Sequence, residues 1–365
     1  MKKIMIFTLF SFLGLVAMAQ LPELTVEQHL EDYDFAVKYI EDNYSGFLDK
    51  VNDSTRADYG TLKDRLRKQV FQGERPGWDA VAEYTAWFND KHLKIHLAYY
   101  NDKNEYIGYT EHYSKKKEIH YEAEMEYKPV AIACKVTDKT FLIRFPSCDD
   151  DRSNIKWIKN SIKQFKKSHC ENLIIDIRGN GGGDPRWKPY WKLLYDHEGI
   201  VPGSEYRNTP QNIAYIKKVG WGMAGPMEKM SIKYPELEFI GGSNPLIKSN
   251  KVDKSVKKAA IIIDNGVASN GEAMVLEIKA TSYRTTFYGR DNTSGCLDYS
   301  NIAFIPFKHF DHYFGVPMSR RMGLPETGID PTGIAPDVRI DLPLPSKLTD
   351  NIDEWVIWVA EQLEK

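Results

Sequence analysis

The sequence predicts an α/β protein. Two short apolar runs, residues 173–177 and 259–263, are rich in β-branched residues, and each leads into a tight turn. Such runs are typical of strands that are buried on both faces of a parallel sheet. They alternate along the chain with amphipathic helical segments, and this order favours an α/β core. The 365 residues, 42% of them hydrophobic, suffice for two domains and a sizeable core.

Charge and cysteine content narrow the class of protein. The formal net charge is -2, and this near balance favours neither a nucleic acid nor an anionic membrane surface as a partner. The four cysteines match no zinc-binding spacing. We expect buried free thiols, although export would permit disulfides. They are Cys134, Cys148, Cys170 and Cys296.

Residues 1–19 have the pattern of a secretory signal peptide. Lys2 and Lys3 form a basic start, and the apolar run that follows is too short to span a bilayer comfortably. Residues 17–19, Ala-Met-Ala, form a small-x-small cleavage site. We therefore predict export to the periplasm or the cell exterior, with Gln20 as the first residue of the mature chain. An uncleaved anchor is the alternative.

Residues 20–90 predict an N-terminal helical domain. Thr25 and Gln28 have the spacing of a capping box at the start of an amphipathic run. Residues 78–88 repeat the helical pattern after a Pro-Gly pair.

Residues 91–345 predict the α/β core domain, and residues 346–365 a closing helix. In the core, residues 92–97 alternate with a strand period that places His92 and His96 on one face. An insertion at about 184–255 is rich in Trp, Tyr, Gly and Pro. It suits a lid or a substrate wall, and a plain surface excursion is equally consistent. The other predicted elements are hairpins within 100–137, a strand at 140–145 and amphipathic helices at 154–167 and 353–363.

Ser269 stands at the turn between the second apolar strand and an amphipathic helix. A hydroxyl at such a turn is pushed out of the sheet, and the helix dipole favours negative charge beside it. Alternatively, Ser269 merely caps the helix, with Glu272 completing a Ser-x-x-Glu capping box. This segment alone leaves both interpretations open.

The glycine-rich run at residues 179–183 follows the first apolar strand. Glycines allow backbone N–H groups to approach a ligand closely. Neither a phosphate-binding Gly-Lys-Ser/Thr nor a dinucleotide fingerprint is present. A nest of N–H groups for an oxyanion fits better, and a glycine-rich turn without function is the alternative.

A serine nucleophile requires a base, because its hydroxyl is weakly nucleophilic at neutral pH. Among nine histidines, His92 stands out at the junction of helix and strand, and His96 is second. The two are also four residues apart, as in some metal sites, but no third ligand is apparent. A structural histidine is the ordinary expectation for either one.

Four motifs in order give the sequence a resemblance to a known family. They are LIIDIRGNGGG at 173–183, GVASNGEAM at 266–274, GRDNTSGC at 289–296 and GIAPDV at 333–338. This set resembles the tail-specific, or C-terminal-processing, serine peptidase family, over roughly residues 85–345. The resemblance implies a crotonase-like or Clp-protease-like spiral ββα core, with Ser269 as the nucleophile. It requires neither a metal nor an organic cofactor.

Departures from the family pattern identify the branch. The Ser-Lys branch has a lysine where this chain has Cys296. The chain is closer to the branch of the tricorn protease core, in which a histidine is the base, and Asp90-x-His92 is similar to the Asp-x-His of that branch. The family's orienting acid precedes the Gly-Ile-x-Pro-Asp motif, so Asp330 fits best and Glu326 second. About 45 residues separate His96 from the strand at Thr140, too few for the PDZ module of many relatives.

The resemblance therefore implies an exported serine peptidase that hydrolyses a peptide or protein substrate. Ser269, His92 and Asp330 would form the triad, with backbone N–H groups of Gly181, Gly182 and Asn270 as the oxyanion hole. A second hypothesis is a non-catalytic binding protein on the same scaffold, similar to retinoid-binding repeats, with the aromatic insertion lining an apolar pocket.

Overall fold

A computed structural model of the chain describes residues 24–100, 106–111, 130–148, 152–345 and 352–365. The predicted signal peptide lies outside the described residues. So do most of the predicted hairpins and of the stretch between His96 and Thr140, where no PDZ module is expected.

Helices and strands are numbered along the described chain. The helices are α1 (Val26–Asn43), α2 (Phe47–Lys50), α3 (Arg56–Phe71), α4 (Gly77–Trp87), α5 (Arg152–Ser168), α6 (Lys188–Leu194), α7 (Pro210–Lys218), α8 (Ala224–Lys233), α9 (Asn270–Thr281) and α10 (Glu354–Glu364). The strands are β1 (Lys94–Tyr100), β2 (Tyr106–Glu111), β3 (Ile132–Lys135), β4 (Thr140–Arg144), β5 (Asn172–Asp176), β6 (Gly199–Ile200), β7 (Ser204–Arg207), β8 (Phe239–Ile240), β9 (Leu246–Ile247), β10 (Lys258–Ile263), β11 (Thr285–Gly289), β12 (Tyr299–Pro306), β13 (Tyr313–Arg321) and β14 (Val338–Arg339).

One sheet is built from the apolar strands that the sequence predicts. Its order is β14-β11-β10-β5-β4-β3, and all neighbours run parallel except β3 and β4. Alternate residues of β4, β5 and β10 point to opposite sides. One set packs under α5, α6 and α9, and the other packs under α10. The two apolar runs are therefore buried on both faces, as predicted.

A second sheet is antiparallel and packs against the N-terminal helices. Its order is β2-β1-β13-β7-β8, with β12 also paired to β13. The capping box at Thr25 is present at the start of α1. Buried residues of α1, α3 and α4 form one core with those of β1, β12 and β13. The chain thus has the predicted α/β architecture with a helical N-terminal region, and these helices share their core with a sheet.

The insertion at 184–255 is more regular than its sequence predicts. Strands β7 and β8 extend the antiparallel sheet, and α7 and α8 pack on its core. Trp187, Tyr190 and Trp191 are buried in the core beneath α6. These three aromatic residues therefore pack the protein interior. The hypothesis of an aromatic ligand pocket gains no support from them.

The closing helix forms as predicted. Asp353 caps α10 and accepts hydrogen bonds from the N–H groups of Trp355 and Val356 at 3.0 and 3.3 Å. The same carboxylate pairs with Arg144 at 3.0 Å and with Arg178 at 2.7 Å. Asp176 also pairs with both arginines, at 2.7 Å each. A buried cluster of four charges thus fastens the closing helix to the parallel sheet.

Two further features concern the whole of the described chain. None of the helices in these residues is long and apolar enough to cross a membrane. None of the four cysteines forms a disulfide within the described residues, and each is buried except the partly exposed Cys134.

Candidate active site

Parallel pairing brings three loops to one edge of the sheet. Strands β5, β10 and β11 are neighbours, so the segments that follow them leave the sheet at the same edge. These segments are residues 177–183, 264–269 and 290–296. In open α/β sheets this edge is the usual place for a site.

Ser269 lies directly before α9 in a strained conformation. Its φ of 51° and ψ of -119° are unusual for a residue with a side chain. Its N–H donates to the carbonyl of Cys296 at 3.0 Å and is also 3.3 Å from a carboxylate oxygen of Glu272. Such strain persists only where surrounding contacts hold it, and it is concentrated at functional sites.

Glu272 is the main anchor of this turn. Its buried carboxylate accepts from the Thr293 hydroxyl at 2.6 Å and from the N–H groups of Gly295 and Cys296 at 2.7 and 2.8 Å. The capping-box interpretation anticipates only its contact with Ser269. The structure adds a second function, because Glu272 fixes the turn against the loop that follows β11.

The glycine-rich loop lies directly against the Ser269 turn. Gly182 has a φ of +101°, and a Cβ placed there would lie 2.8 Å from both the Ser269 Cβ and the Asn270 nitrogen. The carbonyl of Asn180 accepts from the Ala268 N–H at 3.0 Å. The side chain of Asn270 donates to the Gly183 carbonyl. The structure therefore brings together the two motifs that the sequence singles out.

The N–H groups of this loop differ in their availability. The Gly182 N–H donates to the side-chain oxygen of Asn180 at 3.1 Å. Within the described residues, the N–H groups of Gly181 and Asn270 have no protein acceptor. Gly181 is exposed, with open space beside it. Gly181 and Asn270 are thus donors that remain available to a ligand.

Asp264 tethers the glycine-rich loop to the segment before Ser269. Its carboxylate accepts from the N–H groups of Gly179 at 2.9 Å and Gly266 at 3.0 Å. Burial raises the pKa of Asp264 to about 6, against the opposing effect of these two donors.

His92 is buried directly before β1, and two contacts fix it. Its Nδ1 lies 2.6 Å from the carbonyl oxygen of Tyr299, and its N–H donates to Asp90 at 2.9 Å. The Nζ of the neighbouring Lys91 donates to the carbonyl oxygen of Ser294, in the loop that follows β11, at 2.6 Å. His92 and Ser269 therefore both bond to residues 296–299. Among the described residues, no hydrogen bond joins the His92 ring to the Ser269 hydroxyl.

His96 occupies a different environment from His92. Its ring packs edge-on against Phe304, with centroids 5.0 Å apart, and lies close to Gly315. It is thus part of the antiparallel sheet. Within the described residues, no three His, Cys, Asp or Glu side chains are grouped as metal ligands.

Asp330 and Glu326 differ sharply in their surroundings. Asp330 accepts from the N–H groups of Leu297 at 2.8 Å and Asp298 at 3.1 Å. Burial, followed by the negative charge of Asp298, raises the pKa of Asp330 to about 7. Glu326 is exposed in the turn after β13.

The motif at residues 333–338 packs against the motif at residues 289–296. The Thr293 hydroxyl accepts from the Ile334 N–H at 2.7 Å, and the Thr293 N–H donates to the Ile334 carbonyl at 3.0 Å. Gly333 approaches Thr293 so closely that a Cβ would lie 1.9 Å from its carbonyl oxygen. Each of the four sequence motifs therefore contacts the next one, from the glycine-rich loop to residues 333–338.

The comparison with protein families agrees with these motifs. Residues 139–340 match the model of peptidase family S41, and the chain belongs to this family. It is accordingly a serine-type peptidase, a hydrolase that acts on peptides or proteins. No protein with a curated description matches the sequence.

Solved structures show the same fold at low sequence identity. A candidate peptidase from Parabacteroides merdae is 14% identical, with a TM-score of 0.55, and the match covers 85% of this chain and 89% of that one. Mature CPAF is 11% identical, with a TM-score of 0.58, over 93% of this chain and 96% of its own. Likeness at this level concerns the fold.

Proposed function

We propose that Ser269 is the nucleophile of this peptidase, that His92 is its general base and that Asp330 is an acid that helps to position the base. The observation that carries the proposal is the strained turn at Ser269, pressed against Gly182 and beside the N–H of Asn270. A helix cap requires no such strain, whereas a nucleophile presented to a nest of N–H groups explains it.

The proposed reaction follows from these positions. The Ser269 hydroxyl attacks the peptide carbonyl while the Nε2 of His92 takes its proton. The N–H groups of Asn270 and Gly181 stabilise the oxyanion, since the Gly182 N–H is engaged by Asn180. His92 then returns the proton to the leaving amine, and water hydrolyses the acyl-enzyme by the reverse sequence. One such oxyanion donor is worth about 3–4 kcal/mol of transition-state stabilisation.

Asp330 is preferred to Glu326 because of its contacts. It lies partly buried against the loop that also contacts His92 and Ser269, whereas Glu326 is exposed. The proposed position of a substrate chain is the open space beside Gly181.

An active-site probe tests the nucleophile and the base. We expect a fluorophosphonate to label the wild-type protein at one site, Ser269→Ala to abolish labelling and His92→Ala to slow it by at least about 10³-fold. Equal labelling of wild type and Ser269→Ala would contradict the proposal. Casein cleavage by the same three proteins then tests peptidase activity.

We also propose export, on the basis of residues 1–19 alone. Sequencing of the mature N-terminus from fractionated cells checks this, with Gln20 expected as the first residue. Recovery of intact Met1 from the cytoplasm would contradict it.

A further inference from the structure

We propose that Asp90, anchored by Tyr44, is the carboxylate that stabilises charged His92, and that the Tyr299 carbonyl orients the ring. In this arrangement Asp330 acts on His92 only through the backbone of residues 297–299. The inference deepens the proposed function and rests on His92 being the base.

Asp90 is held by two donors on opposite sides. One of its oxygens accepts from the hydroxyl of Tyr44 at 2.7 Å, and the other accepts from the N–H of His92 at 2.9 Å. The side chain of Tyr44 is fully buried, and only 6% of Asp90 is exposed. The carboxylate, which lies two residues before His92 in the sequence, is therefore held in place and shielded from water. Electrostatic effects are strong in such a buried environment.

Electrostatics agree with this position. Burial raises the pKa of Asp90, and the largest opposing effect comes from the charge of His92. The Tyr44 hydroxyl, the His92 N–H and Lys50 of α2 follow in that order. The attraction between Asp90 and His92 is mutual, so a carboxylate at this place favours the imidazolium that forms when the Ser269 proton is taken.

The ring itself is oriented by a backbone group. The Nδ1 of His92 lies 2.6 Å from the carbonyl oxygen of Tyr299. A carbonyl oxygen can only accept, so Nδ1 carries the proton and Nε2 is left with a lone pair. This is the tautomer that a general base for Ser269 needs. A carboxylate usually imposes it, and here a carbonyl does.

Asp330 holds the segment that precedes the Tyr299 carbonyl. Both of its oxygens are occupied by N–H groups, those of Leu297 and Asp298, which directly precede Tyr299. Asp330 thus fixes the path of the segment whose carbonyl contacts His92. Asp90, Tyr44 and Asp330 are then positioning residues with separable effects.

The helical N-terminal region reaches the site through Tyr44, which ends α1. The rings of Tyr44 and Tyr299 are 5.7 Å apart. A Cβ on Gly46 would lie 2.3 Å from the Tyr44 hydroxyl. Besides Lys50, the charged and titratable groups that act on this cluster are Asp49, Asp298, Asp330, Cys296, Glu272 and Lys94.

The test measures how a fluorophosphonate labels Ser269 as a function of pH, with its maximal rate kinact and half-saturating concentration KI determined separately. Asp90→Asn removes the charge and keeps polar atoms of similar shape. We expect its kinact to fall at least about tenfold with KI within about twofold, and its pH profile to differ from that of wild type. Tyr44→Phe should lower kinact in the same way but less. Asp330→Asn should cost less than about tenfold, far below the roughly 10⁴-fold of an acid bonded directly to the base.

Tyr33→Phe is the matched control. The buried Tyr33 of α1 loses an equivalent hydroxyl bond, to the Lys63 carbonyl at 2.9 Å, and should leave kinact and the pH profile unchanged. Should Asp90→Asn fail to fold, Tyr44→Phe provides the same comparison.

The outcomes separate this inference from the proposed function. Wild-type kinact and pH profiles in both Asp90→Asn and Tyr44→Phe, or a loss near 10⁴-fold in Asp330→Asn, would overturn the inference while Ser269 and His92 kept their roles. Undiminished labelling of Ser269→Ala would instead refute the proposed function.

Discussion

At the scale of single residues, the site depends on how closely backbone segments approach one another. Ser269 holds a positive φ, and Gly182 leaves no space for a side chain beside it. The buried carboxylate of Glu272 fixes the same turn from its other side. The backbone of Ser269 is therefore held in place by its neighbours.

Gly182→Ala tests this close approach. The new Cβ would lie 2.8 Å from the Ser269 Cβ, on a backbone whose φ of +101° disfavours any side chain. We expect probe labelling to fall at least about 10²-fold, because small displacements at a reacting centre are costly. Gly60→Ala in α3 also adds a Cβ to open space, on a backbone without a positive φ, and should leave labelling unchanged. Equal effects of the two substitutions would show that steric contact at Gly182 does not position Ser269.

At the scale of elements, the loops at the carboxyl edge of the parallel sheet are tied to each other by side chains. Asp264 holds the glycine-rich loop, Glu272 holds the loop after β11 and Asp330 holds the start of β12. Each carboxylate accepts backbone N–H groups that secondary structure leaves unpaired. The strands align the loops, and these acids fix their shape.

Asp264 gives one of these ties a pH dependence. Its pKa of about 6 in the folded protein exceeds the ordinary value of 3.8. The folded chain therefore retains a proton that the unfolded chain releases, and this group lowers the free energy of unfolding as pH rises from about 4 to 6. Asp264→Asn lacks this effect. We expect its free energy of unfolding, relative to wild type, to increase by roughly 1–3 kcal/mol from pH 4.5 to pH 8 in urea titrations. A constant difference across that range would contradict the assignment.

At the scale of the whole molecule, one charge cluster joins the closing helix to strands β4 and β5 of the parallel sheet. Arg144 on β4 and Arg178 after β5 bind Asp176 and also Asp353, which caps the closing helix. Burial opposes ionisation of Asp176, but Arg178 and Arg144 outweigh it and lower its pKa to about 2. Its charged form therefore stabilises the fold above the ordinary pKa of 3.8, and this contribution is lost as pH falls towards 2.

Arg144→Met tests the cluster. The substitution removes one partner from two buried carboxylates, and we expect the free energy of unfolding at pH 7 to fall by about 3–5 kcal/mol. The deficit should narrow below pH 4, where wild type loses the same stabilisation. Lys38→Met breaks an exposed ion pair with Asp42 and should change stability far less, because solvent screens such a pair. Similar losses in both variants would mean that burial does not distinguish the two pairs.

Much of the parallel sheet and its site was predictable from sequence. An apolar run such as 259–263 predicts a strand that is buried on both faces of a sheet. Ser269 and Gly182 stand out in the sequence because few residue types suit the turns in which they lie. The insertion was harder, since β7 and β8 are short, and they form by pairing of β7 with β13 and of β8 with β7. The Thr209-Pro210 start of α7 is a cap signal that could have revealed that helix. The contact of His92 with the Tyr299 carbonyl spans more than 200 residues of chain, and no local pattern encodes it.

The proposed base and nucleophile stand on opposite halves of the protein. His92 precedes a strand of the antiparallel half, next to residues of its core, whereas Ser269 begins a helix on the parallel half. The contact between the base and the nucleophile thus depends on how the two cores pack against each other. A small displacement of one core relative to the other would therefore separate the proposed base from the proposed nucleophile while both cores stayed folded.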